Sequence, residues 1–468
     1  MQTVRHGRVI VLRKENVMDE IRLKDYRCFR EDQTARLAPL TLLVGDNSTG
    51  KTSFLAILRA LWDLAFSHRV PDFKEEPYDL GSFDEIAHYR GGRGGRAETF
   101  LAEFSATAPS PRRVPKMLVS QKFGATFAKI GTTPYPVGRR FGSDDSWIEE
   151  CFEEKHAYII RVKTARGSWE KSLDRHLEER SIIDERMIPP FILFEMAQAA
   201  VENKEEKLGF KPLGDSPAFG PDEYEILRRF SWYDMSNVIV RPFASAPVRS
   251  KPRRTYDPSR PTQDPEGDYV PMYLADVLSQ RGEEWTELKK QLEKFGRTAG
   301  LFDEISIKRL GQRDSEPFQI QVRKLGSKVK GPLRNLIDVG YGVSQVLPVI
   351  TELLRPEAPR LFLLQQPEIH LHPSAQAALG GLFCQIASEE RQIIVETHSD
   401  HLLDRVRMDV RDGFGELKPE DVSILFFERD DLDVRIHSLG IDGEGNVLNA
   451  PDSYRRFFME ETTRSLGL

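Results

Sequence analysis

Cysteine is rare in this chain. Its 468 residues include only three cysteines, Cys28, Cys151 and Cys384, which are far apart in the sequence. No pair has the close spacing of a zinc site or a thiol–disulfide motif, so the sequence argues against both. An odd number of widely spaced thiols is typical of proteins that keep their cysteines reduced, and we therefore predict a cytoplasmic location.

The chain also lacks a long apolar run and an excess of positive charge. No apolar run approaches the ~20 residues that cross a bilayer. Residues 1–17 have only the short run Val9 to Leu12 before further charges, unlike a signal peptide. A net charge of −6 and an isoelectric point near 6.0 argue against general attraction to nucleic acid. We expect a globular protein of about two to four domains without membrane contact.

One glycine-rich segment carries the strongest chemical signal. Residues 45–52 match the pattern G-x-x-x-x-G-K-[ST], between a strand-like apolar run and an amphipathic helix at 51–66. A chance turn would not come with both flanking elements, so we predict a site for a nucleoside triphosphate. Lys51 would reach the β- and γ-phosphates, and Thr52 would offer its hydroxyl to Mg²⁺. The predicted nucleotide contacts are Gly45, Asp46, Asn47, Ser48, Thr49, Gly50, Lys51, Thr52 and Ser53.

A second glycine-rich turn enters a predicted helix far along the chain. The segment Gly340-Tyr-Gly-Val-Ser-Gln345 is either an ordinary helix cap or a second anion-binding helix terminus. One nucleotide does not need two such termini from the same subunit. We therefore predict that Gly342, Ser344 and Gln345 contact the γ-phosphate of a nucleotide held by another subunit.

Two later segments complete a recognisable order of motifs. "LFLLQQPEIHLHP" occupies 361–373 and "IIVETHSD" occupies 393–400. Together with the two glycine-rich turns, they resemble the ABC-type ATPases, which bind ATP and Mg²⁺ between paired subunits. The resemblance implies a Walker B strand at 361–364, a metal-binding position at residue 365 and a switch histidine, His398, aimed at the γ-phosphate.

The motif pattern is most similar to the RecF, SMC and OLD group of these ATPases. It also resembles bacterial stand-alone ATPases and the ATPase subunits of phage-defence systems such as Septu and PARIS. We find no acid-rich segment like a Toprim nuclease after His398. The resemblance therefore implies a homodimer or higher homo-oligomer that works with a separate effector protein. His370 and His372 beside Glu368 could suggest a metal site, but the family places a dimer-contact loop here and the spacing makes a poor metal cage.

The predicted fold is α/β: a two-lobed ABC-type P-loop ATPase head with a mostly parallel core sheet and a largely helical insertion. We predict an N-terminal ATPase lobe at 1–145, a helical or irregular insertion at 146–300 that forms a lid or binds a partner, and a C-terminal ATPase lobe at 301–468. The loop 241–254 carries five positive charges and no acid. It could hold DNA phosphates, or it could be solvated or packed against the insertion. The arginines in the glycine-rich stretch 90–96 could likewise contact a nucleotide or DNA, or they could have no ligand.

Two glutamines stand where the family usually has carboxylates. Residue 365 is normally an acid that holds Mg²⁺ through water, and residue 366 is often the glutamate that orients the attacking water. An amide keeps the shape of a carboxylate but not its charge, so Gln365 and Gln366 should impair hydrolysis more than nucleotide binding. A glutamate at 365 could have been exchanged to trap the ATP-bound dimer, the chain could be a slow switch, or Glu368 could serve as the acid. We favour the first two, because Pro367 disturbs the strand that would aim Glu368.

Three functions are compatible with these motifs. The first is an ATPase switch in DNA repair or phage defence that dimerises on ATP and controls a separate effector, for which a nuclease is the best candidate. The second is a non-hydrolysing, ATP-bound scaffold that holds an effector inactive. The third, an ABC transporter subunit, is disfavoured by the long insertion and by the "ETHSDHLL" segment.

Overall fold

The computed structural model describes residues 18–66, 70–109, 118–152, 157–174, 210–220, 223, 240–313, 315–454 and 463–464. The strands, in chain order, are β1 Met18–Lys24, β2 Gln33–Arg36, β3 Leu40–Gly45, β4 Thr99–Pro109, β5 Leu118–Ile130, β6 Thr133–Gly142, β7 Trp147–Phe152, β8 Ala157–Thr164, β9 Gly167–Asp174, β10 Lys211–Leu213, β11 Phe243–Ser245, β12 Glu304–Arg309, β13 Phe318–Arg323, β14 Arg334–Asn335, β15 Leu361–Gln365, β16 Gln392–Glu396, β17 Val422–Asp430, β18 Asp433–Ile441 and β19 Val447–Leu448.

The α-helices lie mostly in the second half of the described chain. They are α1 Lys51–Phe66, α2 Phe83–Ile86, α3 Val270–Gln280, α4 Gly282–Thr298, α5 Tyr341–Leu354, α6 Pro373–Ile386 and α7 Asp400–Asp412. The 51–66 helix is confirmed at both ends. The segment 270–298 forms two helices, α3 and α4, which meet at Arg281.

A seven-stranded sheet forms the centre of the molecule, with the strand order β11-β15-β16-β3-β17-β18-β19. The pairings from β11 to β17 are parallel, whereas β18 and β19 are added antiparallel. The residues of β3, β15 and β16 are nearly all apolar and buried, as expected of parallel strands covered on both faces. Their carboxyl ends therefore lie together at one edge of the sheet.

The two faces of this sheet belong to two separate hydrophobic cores. Successive side chains of a strand point to opposite faces. Leu42, Phe362 and Val395 accordingly pack with α3 to α7, whereas Leu43 and Leu363 pack with α1 and the strands of the N-terminal lobe. This arrangement confirms the predicted α/β head with its mostly parallel core sheet.

The second sheet has nine strands, all antiparallel, in the order β10-β9-β8-β7-β6-β5-β4-β1-β2. The helical interpretation of residues 147–174 is therefore wrong, because they form β7, β8 and β9 and continue the sheet of the N-terminal lobe. Buried Ile148, Ile160, Val162 and Trp169 occupy one face of these strands, while charged residues pair across the other. The frequent charges had suggested a helix surface. The rest of the predicted helical stretch, at 175–209, 221–222 and 224–235, lies outside the described residues.

Smaller elements complete the C-terminal half. β12 and β13 pair as an antiparallel hairpin, and β14 joins them in a three-stranded sheet. None of the helices in the described part of the chain combines the length and apolar character needed to cross a membrane.

A buried ion pair tests the antiparallel arrangement at 139–150. Arg139 and Glu150 face each other across β6 and β7, are both buried and form a salt bridge. Glu150→Ala leaves a buried guanidinium without this partner and should cost about 3–5 kcal/mol of stability. The neighbouring Glu149 pairs with the more exposed Arg161, so Glu149→Ala should cost about 1 kcal/mol or less. Thermal unfolding of the two variants measures the difference, and equal losses would contradict the pairing.

Candidate nucleotide-binding site

The glycine-rich loop 45–50 leaves the carboxyl end of β3 and leads into α1. Gly45 has φ of 136°, and a Cβ atom there would lie 2.5 Å from the carbonyl oxygen of Phe427. Gly50 has φ of 86°, and a Cβ atom there would lie 2.5 Å from the sulfur of Cys28. Both positions therefore require glycine for conformation and for space. The loop is the tight turn that the sequence predicted.

Lys51 lies inside this loop. Its ammonium donates to the carbonyl oxygens of Gly45 at 3.0 Å and Asp46 at 2.6 Å. The Thr49 hydroxyl donates to the same Asp46 carbonyl at 2.8 Å, which fixes the turn. Burial lowers the pKa of Lys51, against the raising effects of Glu396 and Asp46. The loop therefore holds one compact positive charge at the amino end of α1, where a phosphate would be stabilised.

The tip of the loop faces solvent. Asp46, Asn47 and Ser48 are exposed. The carbonyl oxygen of Ser48, a residue with φ of 60°, accepts a hydrogen bond from Arg429 on β17. Asp46 to Thr52 thus form one continuous loop and helix start. Their backbone could surround a phosphate group.

Ser53 differs from the other predicted nucleotide contacts. Its side chain is buried, and its hydroxyl oxygen accepts a hydrogen bond from Nε of Arg27 at 3.2 Å. The structure therefore gives Ser53 a packing role that joins α1 to the loop after β1. The sequence placed it in the site only because it follows Thr52.

Thr52 has an acidic partner that the sequence analysis missed. Its hydroxyl donates to Oε2 of Glu396 at 2.8 Å. Glu396 is the last residue of β16 and lies opposite Gln365 in the parallel register of β15 and β16. Burial raises the pKa of this carboxyl group, while the Thr52 hydrogen bond and the charge of Lys51 oppose the increase. The signal was present in the sequence, since an acid directly follows the apolar run Ile393–Val395.

Gln365 is the last residue of β15 and is buried. Its backbone N–H donates to the hydroxyl of Ser245 at 3.3 Å. Its side chain lies within hydrogen-bond reach of the buried Tyr78 hydroxyl. The amide therefore reproduces the position of the expected acid but not its charge.

The oxygen atoms at this edge suit Mg²⁺. The Thr52 hydroxyl, the Glu396 carboxylate and the Gln365 amide are the hard oxygen ligands that this ion prefers. No group of three or more His, Cys, Asp or Glu residues within the described ranges could enclose a metal ion. Mg²⁺ at phosphate sites is usually bound by one or two protein groups with phosphates and water, so the residues present fit it.

Gln366 begins a turn at the carboxyl end of β15. It has φ of 39°, and its N–H donates to the carbonyl oxygen of Glu396 at 2.8 Å. A non-glycine residue in this conformation is uncommon, and such strain clusters at functional sites. The turn leaves the Gln366 side chain partly exposed beside the site.

Glu368 binds the segment that follows β16. It is buried, and its Oε1 accepts hydrogen bonds from the Thr397 hydroxyl at 2.8 Å and from the His398 N–H at 2.9 Å. Burial raises the pKa of Glu368. This carboxyl group therefore holds the segment after β16 in place, which disfavours the explanation that it replaces the acid at 365.

Glu368 instead positions His398. The His398 side chain is exposed, and burial of part of the ring, followed by the nearby charge of Lys51, lowers its pKa. The imidazole therefore lies close enough to Lys51 to sense its charge. The role of His398 as a switch histidine stays a prediction.

The second glycine-rich turn packs against the loop that follows β15. A Cβ atom on Gly342 would lie 2.7 Å from the carbonyl oxygen of His370, and the Tyr341 and His370 rings meet edge to face at 5.2 Å. The Ser344 hydroxyl donates to the carbonyl oxygen of Tyr341 at 2.8 Å. His372 instead caps α6, where its ring nitrogen accepts from the Ser374 N–H.

Gln345 cannot contact a nucleotide in this arrangement, contrary to the sequence prediction. It is fully buried (0% exposed). Its amide oxygen accepts from the Arg249 N–H at 3.1 Å, and its Nε2 donates to the Arg249 carbonyl at 3.2 Å. Gln345 therefore ties α5 to the loop 241–254. The spacing of the motif did not show which face of the helix would be covered.

Arg249 connects this helix to the end of β15. Its guanidinium, only 2% exposed, donates to the carbonyl oxygens of Gln345 at 2.8 Å, Pro367 at 3.1 Å and Gln366 at 3.4 Å. Burial lowers the pKa of Arg249 to about 10. The Arg249 side chain thus joins α5, which begins at the second glycine-rich turn, to the strained turn at Gln366.

The other arginines of the loop 241–254 also have partners. Arg241 binds Asp63 and Glu75, Arg253 binds Asp268, and Arg254 binds Asp338. In the stretch 90–96, Arg90 pairs with Asp25 and Arg96 donates to the Ala87 carbonyl. The loop is therefore packed against acids of the head rather than presenting all its charges to a phosphate backbone.

Comparison with known proteins yields two family models and several structural alignments. Residues 243–404 match the family described as "AAA domain, putative AbiEii toxin, Type IV TA system", and residues 18–102 match the "AAA ATPase domain" family. No curated protein matches the chain. The two matched ranges contain the P-loop, the second glycine-rich turn, β15 and His398. Both matched families are described as AAA domains, which supports an ATPase head.

Three solved structures align with low TM-scores. A Smc head bound to the C-winged helix domain of ScpA has 10% identity and a TM-score of 0.42, covering 91% of this chain and 98% of its own. The SMC head domain from Thermotoga maritima has 10% identity and a TM-score of 0.35, covering 90% and 98%. A Smc head with an extended coiled coil, bound to the C-terminal domain of ScpA and derived from Pyrococcus furiosus, has 11% identity and a TM-score of 0.41, covering 96% and 99%.

Arg249 provides a test of the site's internal support. Arg249→Met removes the donors to buried carbonyl oxygens on two elements, and we expect a loss of about 2–4 kcal/mol in stability. Arg253→Met, in the same loop, loses only a largely exposed ion pair with Asp268 and should cost about 1 kcal/mol or less. Thermal unfolding compares the variants. Equal midpoints would show that Arg249 does not stabilise the junction.

Proposed function

We propose that this chain is an ATP- and Mg²⁺-binding switch that pairs with a second copy of itself and controls a separate effector. The observation that carries the proposal is the edge where β3, β16 and β15 end. There Lys51 fills the glycine-rich loop and the Thr52 hydroxyl binds Glu396 at 2.8 Å. A phosphate-binding loop and oxygen ligands for Mg²⁺ thus occupy one place, as nucleotide chemistry requires.

The residues of the loop would share the work of binding ATP. Residues 46–50 and the amino end of α1 would direct backbone N–H groups to the phosphates, and Lys51 would pair with the β- and γ-phosphates. Thr52 would hold the ion, with the Gln365 amide nearby. When bound, Mg²⁺ neutralises charge that develops on the phosphate oxygens. His398, held through its backbone by Glu368, would lie on the γ-phosphate side.

Pairing follows from the place of the second glycine-rich turn. α5 begins at Tyr341, which is 39% exposed, and Ser344, in the first turn of the helix, is 5% exposed, at the border of the buried part. A helix N-terminus stabilises a negative charge, and a nucleotide on a second subunit could supply one. Gly342 and Ser344 remain the proposed contacts across the pair. Gln345 would support them from inside the subunit.

A non-hydrolysing scaffold is the second candidate. It is favoured by the amides at both residue 365 and residue 366, which place no carboxylate at the end of β15. Such a chain would bind ATP and pair without turnover. It would then release or hold its effector according to nucleotide occupancy alone.

The effector belongs to the proposal on two grounds. The order of motifs resembles heads of DNA-repair and phage-defence systems, and one matched family is described as a toxin of a toxin–antitoxin system. We propose a cytoplasmic protein with a nuclease as partner. Direct DNA contact through the loop 241–254 is disfavoured, because four of its five basic residues already have partners.

Nucleotide-dependent pairing tests this function directly. Lys51→Ala removes the phosphate-binding ammonium, and we expect no ATP binding and no pairing. Ser344→Arg should retain ATP binding, because the P-loop is untouched, but block pairing by filling the contact with a second subunit. Nucleotide titration measures ATP binding, and mass measurement with ATP and Mg²⁺ measures pairing. Thermal unfolding checks that each variant is folded. If Ser344→Arg subunits still pair when ATP is added, the proposed contact of α5 with the nucleotide of a second subunit is contradicted.

Hydrolysis separates the switch from the scaffold. Gln365→Glu restores a carboxylate at the end of β15 with almost no change of volume. For a switch, we expect phosphate release to rise at least about tenfold over the unaltered chain, because a charged group returns to the site. For a scaffold, both proteins bind ATP and pair, yet neither releases phosphate. Phosphate release under single-turnover conditions distinguishes these outcomes.

A further inference from the structure

We propose that Glu396, on the strand beside Gln365, supplies the carboxylate of the Mg²⁺ site that residue 365 lacks. The inference rests on the proposed nucleotide binding and assigns the charge of that site to a particular side chain. Glu396 lies in the segment 393–400 used above, but the motif gave it no role. Its assignment comes from the geometry at the carboxyl edge of the central sheet.

The contact with Thr52 is the first support. In P-loop proteins the hydroxyl that follows the lysine binds Mg²⁺. Oε2 of Glu396 lies 2.8 Å from that hydroxyl oxygen. A carboxylate oxygen this close to one metal ligand can bind the same ion or a water molecule on it. The Gln365 side chain makes no such contact with Thr52.

The strand order is the second support. β16 pairs directly with β3, which leads into the P-loop, whereas β15 is separated from β3 by β16. Neighbouring strands lie about 4.8 Å apart, so the backbone of residue 365 is one strand farther from the loop. An acid at the end of β16 therefore reaches the Thr52 hydroxyl more directly than an acid at the end of β15.

The lack of an ion-pair partner is the third support. Glu396 is only 6% exposed, and no Lys, Arg or His in the described part of the chain lies within salt-bridge distance of it. Lys51 is near, but its ammonium donates to the carbonyls of Gly45 and Asp46. A buried carboxylate is costly without a cation. A bound divalent ion would compensate it.

The neighbouring acid Glu368 has a different role. Both of its described hydrogen bonds go to the segment 397–398, and it makes none with Thr52. The two buried carboxylates near β16 are therefore distinguished by their partners. One supports the histidine, and the other faces the metal-binding hydroxyl.

The test measures how strongly Mg²⁺ enhances nucleotide affinity. ATP binding is titrated with Mg²⁺ and with a chelator for the unaltered full chain, Glu396→Gln, Glu390→Gln and the double variant Gln365→Glu/Glu396→Gln. Glu390 is an exposed acid two residues before β16 and serves as the matched control. Thermal unfolding confirms that each variant is folded, and the amide keeps the shape of the side chain.

We expect Glu396→Gln to lose the Mg²⁺ enhancement by about 10–100-fold while its affinity in chelator stays unchanged. Glu390→Gln should behave like the unaltered chain. The double variant should regain part of the enhancement, because it returns one carboxylate to the adjacent strand end.

Two results would overturn the inference. If Mg²⁺ still increases the ATP affinity of Glu396→Gln to the full extent, Glu396 does not help to bind the ion. If it loses ATP affinity equally with and without Mg²⁺, the residue supports the loop through Thr52 instead. An unaltered chain that binds no ATP in either condition would contradict the proposed function itself, and with it this assignment.

Discussion

The parallel, in-register pairing of β3, β16 and β15 is the constraint on which the candidate site depends. Hydrogen bonds between these strands bring their carboxyl ends to one edge, although β3 precedes β15 and β16 by more than 300 residues in the chain. The P-loop, Glu396 and Gln365 each lie at the carboxyl end of one of these strands. Their relative positions are therefore set by backbone pairing, which is more rigid than contacts between loops.

Around that edge, similar chemical groups do different work. Glu368 and Glu396 are both buried acids, yet one binds the N–H of His398 and the other the hydroxyl of Thr52. The environment of each carboxylate, rather than its sequence motif, decides its role. The same holds for the arginines of 241–254, which bind acids and carbonyl oxygens of the head.

Much of the architecture could be predicted from the sequence, because the central strands and α1 are marked by strong local patterns. The P-loop required two glycines and a lysine at fixed spacing, and the structure places them as expected. Strands β7 to β9 could not be recognised in the same way. Their exposed faces carry Glu149, Arg161 and Glu170, which stabilise a sheet only through cross-strand pairs that a linear sequence does not reveal. Glu396 and Gln345 were misjudged for a related reason. Which neighbour a side chain meets depends on strand order and helix rotation, and both are properties of the tertiary fold.

Arg249 has a consequence for how the head responds to its surroundings. The link between α5 and the turn at Gln366 is made by a guanidinium and carbonyl oxygens rather than by a pair of titrating groups. Even with its pKa lowered to about 10, this arginine keeps its proton throughout the neutral range. Any response of this link to pH in the neutral range must therefore come from groups other than Arg249.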